Sequence, residues 1–235
     1  MINKTYINLL HEIMDQGYLY EDPNRGGVYR RQLDSYLIEH NLLKDGFPFI
    51  TVKETYPNLA LKELQLFTSG ETDIRKYWAI GVNFWDHDWK RYYKIDQNTP
   101  KEELQNLPEH MYNLPGIYPE LLTKWGHKDI NQVSNLLNTL NDNPMATKKT
   151  VTMWNPGIEG VLSPCHHMFQ VMVQPLTNIC RVQEAIRRGV GDKGYLNKVL
   201  YDGECRKASV SLGESIPKYY ISLKFHMGSS DVFLG

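Results

Sequence analysis

Residues 160–173 read GVLSPCHHMFQVMV, and this stretch decides how the rest of the chain is interpreted. Apolar residues on both sides of Pro164 predict a strand that begins beside it. Proline fixes the backbone and removes an amide donor, so Cys165 is expected at a rigid strand entrance. A thiol held there, with His166 beside it, is the arrangement of an activated nucleophile. The alternative is a small buried hydrophobic side chain, the commoner role of a free cysteine.

The composition indicates a soluble globular protein. The chain has 235 residues, of which 41% are hydrophobic and 23% charged, and its net charge is −1. This balance attracts neither nucleic acid nor an acidic membrane, so neither is an expected partner. We see no signal peptide, and no apolar run approaches the roughly 18 residues of a membrane span. The three cysteines fit neither a metal site nor a disulfide framework, which favours a reducing, cytoplasmic location.

Periodicity gives the order of the secondary structure. Amphipathic patterns predict helices over residues 3–17, 58–69, 73–79 and 130–140, the last with Asp129 as its N-cap. Alternating apolar residues predict strands over residues 49–52, 150–154, 167–173 and 217–227. Residues 175–215, between the last two strands, form a basic block that we interpret as an insertion. We therefore expect one α/β (α+β) domain over residues 1–235, with the insertion inside it.

Several segments, in order along the chain, resemble thymidylate synthase. They are residues 44–53, 63–74, 84–86, 143–144, 151–157, 164–166 and 229–235. The resemblance covers most of residues 1–174 and 217–235 and skips the insertion. It implies a bent mixed sheet with helices on one face, and a homodimer formed through the back of that sheet.

The resemblance also implies a reaction. A one-carbon unit would pass from 5,10-methylenetetrahydrofolate to C5 of dUMP, giving dTMP, after Cys165 adds to C6. Glu63 would steer protons through a water network that His166 helps to order. Tyr118 would lie near the nucleophile, and Trp85 would face the folate ring.

A further set of residues is assigned to the nucleotide by the same resemblance. They are Arg25, Lys148, Lys149, Gln170, Ser229 and Asp231. Arg25 and Ser229 match a phosphate site. Lys148 and Lys149 stand where the family has paired arginines donated across the dimer, and lysine lacks the bidentate fork that suits phosphate. Asp231 would contact the base.

Gly228 is the main departure from the family, which has an arginine just before the serine. We hypothesise that the basic block supplies replacement charge, with Arg187 and Arg188 as candidates. A substrate with a different or absent phosphate explains the departure equally well.

The chain stops at Gly235, before the segments in which the family reads the pyrimidine edge and holds ribose and folate. We interpret it as the N-terminal part of a larger product, for which an interrupted, phage-like gene is one explanation. Two alternatives to dTMP formation stay open. One is a dCMP or dUMP hydroxymethylase, and the other is an inactive remnant or one piece of a split enzyme.

Overall fold

The computed structural model describes residues 2–23 and 26–228, so Arg25, Ser229 and Asp231 lie outside the described residues. The helices are α1 (Ile2–Gln16), α2 (Leu42–Asp45), α3 (Pro57–Ser69), α4 (Ile74–Ala79), α5 (Asp86–Tyr92), α6 (Tyr118–Thr123), α7 (Gln132–Asp142), α8 (Asn178–Arg188), α9 (Lys193–Asp202) and α10 (Cys205–Ser211). The strands are β1 (Tyr18–Glu21), β2 (Tyr29–Gln32), β3 (Thr150–Thr152), β4 (His166–Pro175) and β5 (Tyr219–Met227). Short 3-10 turns cover Glu103–Asn106, Glu109–Tyr112, Gly126–Lys128 and Gly213–Ser215. Within these ranges, none of the helices has the length and apolar character needed to cross a bilayer.

The chain folds as two compact units. The described part of the first unit comprises residues 2–23, 26–65 and 79–82. The second comprises residues 66–78 and 83–228. The chain passes between the two units more than once, and the single domain expected over residues 1–235 stays a prediction.

In the first unit, α1 is followed by the antiparallel hairpin of β1 and β2, and it buries Tyr6 and Leu9. The strand predicted over residues 49–52 does not form. Asn3 of α1 holds this segment instead, because its side chain accepts a hydrogen bond from the Thr51 amide at 2.9 Å and donates to the Thr51 hydroxyl at 2.7 Å. A four-residue run without a ladder partner stays irregular, since a strand is stabilised by its pairing.

The second unit is built on a three-stranded antiparallel sheet in the order β3-β4-β5. Val151, Val171 and Val173 are buried, and they share one face of the sheet by register. Helices α6 and α7 pack against β3. The Gln132 amide at the start of α7 donates to the carbonyls of Leu121 and Thr152 at 2.8 and 2.7 Å, which ties both helices to the sheet edge. The predicted α+β fold class is confirmed, and the strand pairs of the described residues are antiparallel.

The start of α7 differs from the prediction. Asn131 is the N-cap, and its side chain accepts from the Ser134 amide at 2.8 Å. Asp129, the predicted cap, instead adopts a left-handed backbone conformation with φ of 47° at the end of the preceding 3-10 turn. The prediction was wrong because both residues are good caps, and the turn before the helix decides between them.

The predicted insertion is a small helical bundle of α8, α9 and α10 between β4 and β5. Its interior contains Val182, Ala185, Leu196, Val199, Cys205, Ala208, Leu212 and Ile216. Thr177 and Asp192 cap α8 and α9. The Arg181 guanidinium donates to the carbonyl and hydroxyl of Ser209 at 2.9 and 2.8 Å, which fixes α8 to the end of α10. The block therefore has its own apolar interior and is more than a charged loop.

Candidate active site

Cys165 lies directly before β4 and is partly exposed. The Tyr118 hydroxyl, at the first residue of α6, accepts hydrogen bonds from the amides of Cys165 and His166 at 3.0 and 3.2 Å. On the other side, the Cys165 carbonyl accepts from the Gly228 amide at 2.8 Å. The backbone of Cys165, the predicted nucleophile, is thus held by a residue 47 positions earlier in the chain and by the residue that follows β5.

The same hydroxyl also contacts the His166 ring. Its oxygen is 2.8 Å from His166 Nδ1. Because that oxygen already accepts from two amides, we assign its proton to the hydrogen bond with Nδ1. Nδ1 is then an acceptor, the ring is neutral, and the remaining proton is on Nε2. Burial lowers the pKa of His166, which favours the same neutral form.

An aromatic cluster supports Tyr118 from behind. Its ring centroid lies 5.1 Å from that of Phe67 and 6.3 Å from that of Trp85, and the Phe67 and Trp85 centroids are 6.3 Å apart. Trp85 exposes only 8% of its surface. The structure therefore gives Trp85 a packing role at the site. Its predicted contact with a folate ring stays a prediction.

Two glycines bring the loop before Cys165 against the segment before Tyr118. A Cβ added to Gly160 would lie 2.6 Å from the Pro115 carbonyl oxygen and 2.8 Å from Gly116 Cα. The Val161 amide donates to the same Pro115 carbonyl at 3.0 Å. The added Cβ would meet only backbone atoms, so no side chain could change its rotamer to relieve the contact. Sequence reasoning missed this contact, because nothing local marks two distant glycines as neighbours.

Glu63 lies on α3 and is half-buried. It belongs to the first unit, whereas Cys165, His166 and Tyr118 belong to the second. The structure therefore brings three of the four predicted catalytic residues together within one unit. The catalytic role of Glu63 stays a prediction.

The predicted substrate-binding lysines have different environments. Lys148 is exposed and lines a shallow cleft of about 260 Å³ together with Trp125 and Gln132. Lys149 is buried, and its ammonium group donates to the carbonyls of Pro144 and Ala146 in its own loop. Lys148 is thus the better placed of the two to meet an anion.

Three further predicted residues lie on the sheet and in the bundle. Gln170 is half-buried on β4, opposite Thr150 and Lys224. Arg187 and Arg188 at the end of α8 both bind Glu184, at 2.6 and 2.5 Å. Hydrogen bonds from Arg187 and then from Arg188 hold the pKa of Glu184 down to about 2. The Glu184 carboxylate therefore neutralises part of the positive charge that we expected to bind a phosphate.

The fold is of the α+β class, and its geometry places the predicted nucleophile, Cys165, at the entrance of a strand. The comparison with known families then gives the family. The family model described as thymidylate synthase matches residues 4–201, and the chain belongs to the thymidylate synthase family. The predicted resemblance is confirmed. Membership indicates one-carbon transfer of the methyltransferase type and a nucleotide substrate.

Proposed function

We propose that the protein transfers the one-carbon unit of 5,10-methylenetetrahydrofolate to C5 of dUMP and forms dTMP. The observation that carries this proposal is the Tyr118 hydroxyl, which joins the amides of Cys165 and His166 and the His166 ring at one point. A nucleophile must approach its target along a defined direction, and this contact fixes the backbone from which the thiol extends.

In the proposed reaction the Cys165 thiolate forms a bond to C6 of the pyrimidine, and the electron pair of the C5–C6 double bond moves towards C5 and the ring carbonyl. C5 then forms a bond to the methylene carbon of the folate and loses its proton. As that proton leaves, the bond between the methylene carbon and the folate nitrogen breaks, and the nitrogen keeps the electron pair. Where a methyl group is formed, a hydride from the folate adds to the resulting exocyclic methylene, the double bond shifts back to C5–C6, and the sulfur leaves C6 as a thiolate.

His166 and Tyr118 orient the reacting groups during these steps. With Nδ1 occupied by the Tyr118 hydroxyl at 2.8 Å, the His166 ring presents Nε2–H as a hydrogen-bond donor. A neutral donor can orient a water or a ring carbonyl without competing for the proton that leaves C5. We propose that Glu63 handles the proton transfer at the pyrimidine carbonyl.

The remaining binding residues complete the proposal. Arg25, Lys148, Gln170, Ser229 and Asp231 are proposed to contact the nucleotide. Trp85 is proposed to form part of the folate site. Lys149 belongs to the same loop as Lys148 and would act by holding it in place.

We also propose a homodimer. The side chains of Ile221, Leu223 and Phe225 on the edge strand β5 are 65, 60 and 48% exposed. Apolar exposure of this kind along an edge strand is usually covered by a partner. Sedimentation velocity would show a species of twice the chain mass if the proposal is right and the monomer mass alone if it is wrong.

The test of the activity is the intact mass of the protein after incubation with 5-fluoro-dUMP and methylenetetrahydrofolate. We expect a covalent adduct that is lost in Cys165→Ala. Cys180→Ala is the matched control, because Cys180 is an exposed thiol on α8 and should leave the adduct unchanged. An adduct that survives Cys165→Ala, or its absence from the folded wild-type protein, would contradict the proposal.

Product analysis separates the proposal from the hydroxymethylase alternative. With dUMP and dCMP offered in turn, the mass of the released nucleotide shows whether a methyl or a hydroxymethyl group was added and to which base. We expect a methyl group on the uracil nucleotide. A folded protein that binds neither nucleotide would support the non-catalytic alternative.

A further inference from the structure

A β-bulge lies directly after the nucleophile. In the pairing of β4 with β5, His166 is opposite Met227 and Met168 is opposite His226, so His167 is the extra residue between them. Its carbonyl accepts from the Met153 amide at 2.7 Å, which keeps the backbone attached on the β3 side. Bulges near active sites redirect a side chain away from the regular alternation of the strand.

The redirected imidazole of His167 lies against Gly228. A Cβ built on Gly228 would be 2.2 Å from both Cε1 and Nε2 of that ring. No side chain fits at position 228 while His167 is in this place. The Gly228 amide also donates to the Cys165 carbonyl at 2.8 Å, so the imidazole lies at the strand end that holds the nucleophile. The absence of an arginine at position 228 and the presence of His167 are therefore two parts of one arrangement.

A second imidazole completes this arrangement. The His167 ring centroid is 4.8 Å from that of Trp154 and 5.4 Å from that of His226. His167 is half-buried, whereas His226 is exposed and Trp154 is 44% exposed. Within residues 2–23 and 26–228, neither imidazole uses a ring nitrogen in a hydrogen bond. An imidazole ring carries at least one N–H in any protonation state, so each of the two rings can donate to a ligand beside Cys165.

We propose that His167 and His226 bind the anionic phosphate of the nucleotide, as N–H donors in place of a guanidinium at position 228. The inference rests on the proposed function and adds the residues that recognise the charged group. Two imidazoles with centroids 5.4 Å apart can donate to two oxygens of one phosphate. Trp154 holds the half-buried ring in position by packing on its face.

The first experiment compares the dissociation constants of dUMP and deoxyuridine by calorimetry. In His167→Phe, an aromatic ring remains on Trp154 and Gly228 but the N–H is lost. We expect dUMP to bind about tenfold more weakly in this variant and in His226→Phe. Deoxyuridine should bind within about twofold of its wild-type value. An equal loss for both ligands, or no loss for either, would show a merely structural role and overturn the inference.

Two further variants sharpen the comparison. Gly228→Ala should reproduce the selective loss for dUMP, because the added Cβ displaces the His167 ring. His87→Phe is the matched control, since His87 on the exposed side of α5 is 70% exposed and should leave both constants unchanged. Circular dichroism of each variant shows whether the fold is kept.

A second measurement keeps this inference separate from the proposed function. Inorganic phosphate is added to the wild-type protein, and the imidazole signals of all histidines are followed by NMR. We expect the signals of His167 and His226 to shift together and to saturate. If neither moves, the inference fails even when dUMP is turned over. If both move but no adduct forms at Cys165, the phosphate site stands and the proposed function fails.

Discussion

Replacing Tyr118 by phenylalanine removes a hydroxyl that is hydrogen-bonded to three groups in the part of the chain that the structure describes. The Cys165 amide, the His166 amide and His166 Nδ1 each lose a hydrogen-bond partner. A hydrogen bond of this kind contributes about 1 kcal/mol net, so the free energy of unfolding should fall by about 3 kcal/mol. The phenyl ring keeps its contacts with Phe67 and Trp85, because it has the same shape. The loss should therefore come from hydrogen bonding alone.

The assay is urea unfolding followed by tryptophan fluorescence, together with the rate of adduct formation with 5-fluoro-dUMP. Tyr112→Phe is the matched control. The Tyr112 hydroxyl is also buried and used, since it donates to the Leu104 carbonyl and accepts from the Leu107 amide, both at 2.9 Å. We expect Tyr112→Phe to cost about 2 kcal/mol of stability and to leave the adduct rate unchanged. Tyr118→Phe should lower both quantities.

Two results would refute this reasoning. The first is a change of less than about 0.5 kcal/mol in Tyr118→Phe, the range of an ordinary surface substitution. The second is an adduct rate that falls equally in both variants, since the effect on Cys165 would then reflect lost stability and not the local contact. The state of His166 gives an independent check: its nitrogen shifts should show a protonated Nε2 in the wild-type protein and a mixture of tautomers in Tyr118→Phe.

Three further predictions concern the loop, the bundle and the acid response. Gly160→Ala should lower the free energy of unfolding by about 1–3 kcal/mol, because its Cβ meets only backbone of the segment around Gly116; Gly157→Ala, whose Cβ is 3.4 Å from its nearest neighbour, should cost less in the same urea titration. Glu184→Gln should cost under about 1 kcal/mol, since the two arginines are exposed. The ordinary pKa of a glutamate is 4.5, and that of Glu184 is lowered to about 2, so the stability difference should be present at neutral pH and vanish as the pH falls from 4.5 through 2. A difference that persists in acid would contradict the pairing with the arginines. Because burial lowers the pKa of His166, the unfolded chain binds more protons, so stability should decline as pH falls below about 6.5, and His166→Gln should flatten this decline in unfolding measured from pH 8 to 5.

The parts of the fold that could be predicted are those encoded by local patterns. β3, β4 and β5 follow from alternating apolar residues, and α1 and α3 from amphipathic runs. The strand predicted over residues 49–52 does not form, because no strand among residues 2–23 and 26–228 pairs with this alternating run. The helices of residues 175–215 were not predicted. The many basic residues of the block favoured a charged surface insertion, and the spacing of its apolar residues was overlooked.

The residues of the candidate site also differ in whether the local sequence could predict them. Cys165 and His166 are adjacent and could be recognised from their own neighbourhood. Tyr118 could be named only by resemblance, since its contact with them spans 47 residues. His167 was missed because a bulge breaks the alternation on which strand patterns depend, and the only hint was a second histidine in a row.

The chain leaves the sheet for the helical bundle and returns to it at two neighbouring points. Pro175 pairs with Tyr219, and one step further the Leu176 amide donates to the Lys218 carbonyl at 2.8 Å. The two chain ends of the bundle are therefore only about one strand spacing apart, roughly 5 Å. A tight hairpin turn can span that gap, and a longer segment adds little to the entropy of closing it. The outer end of this hairpin is thus a grafting point, where a folded module of another size can be exchanged while the register that carries Cys165 stays the same.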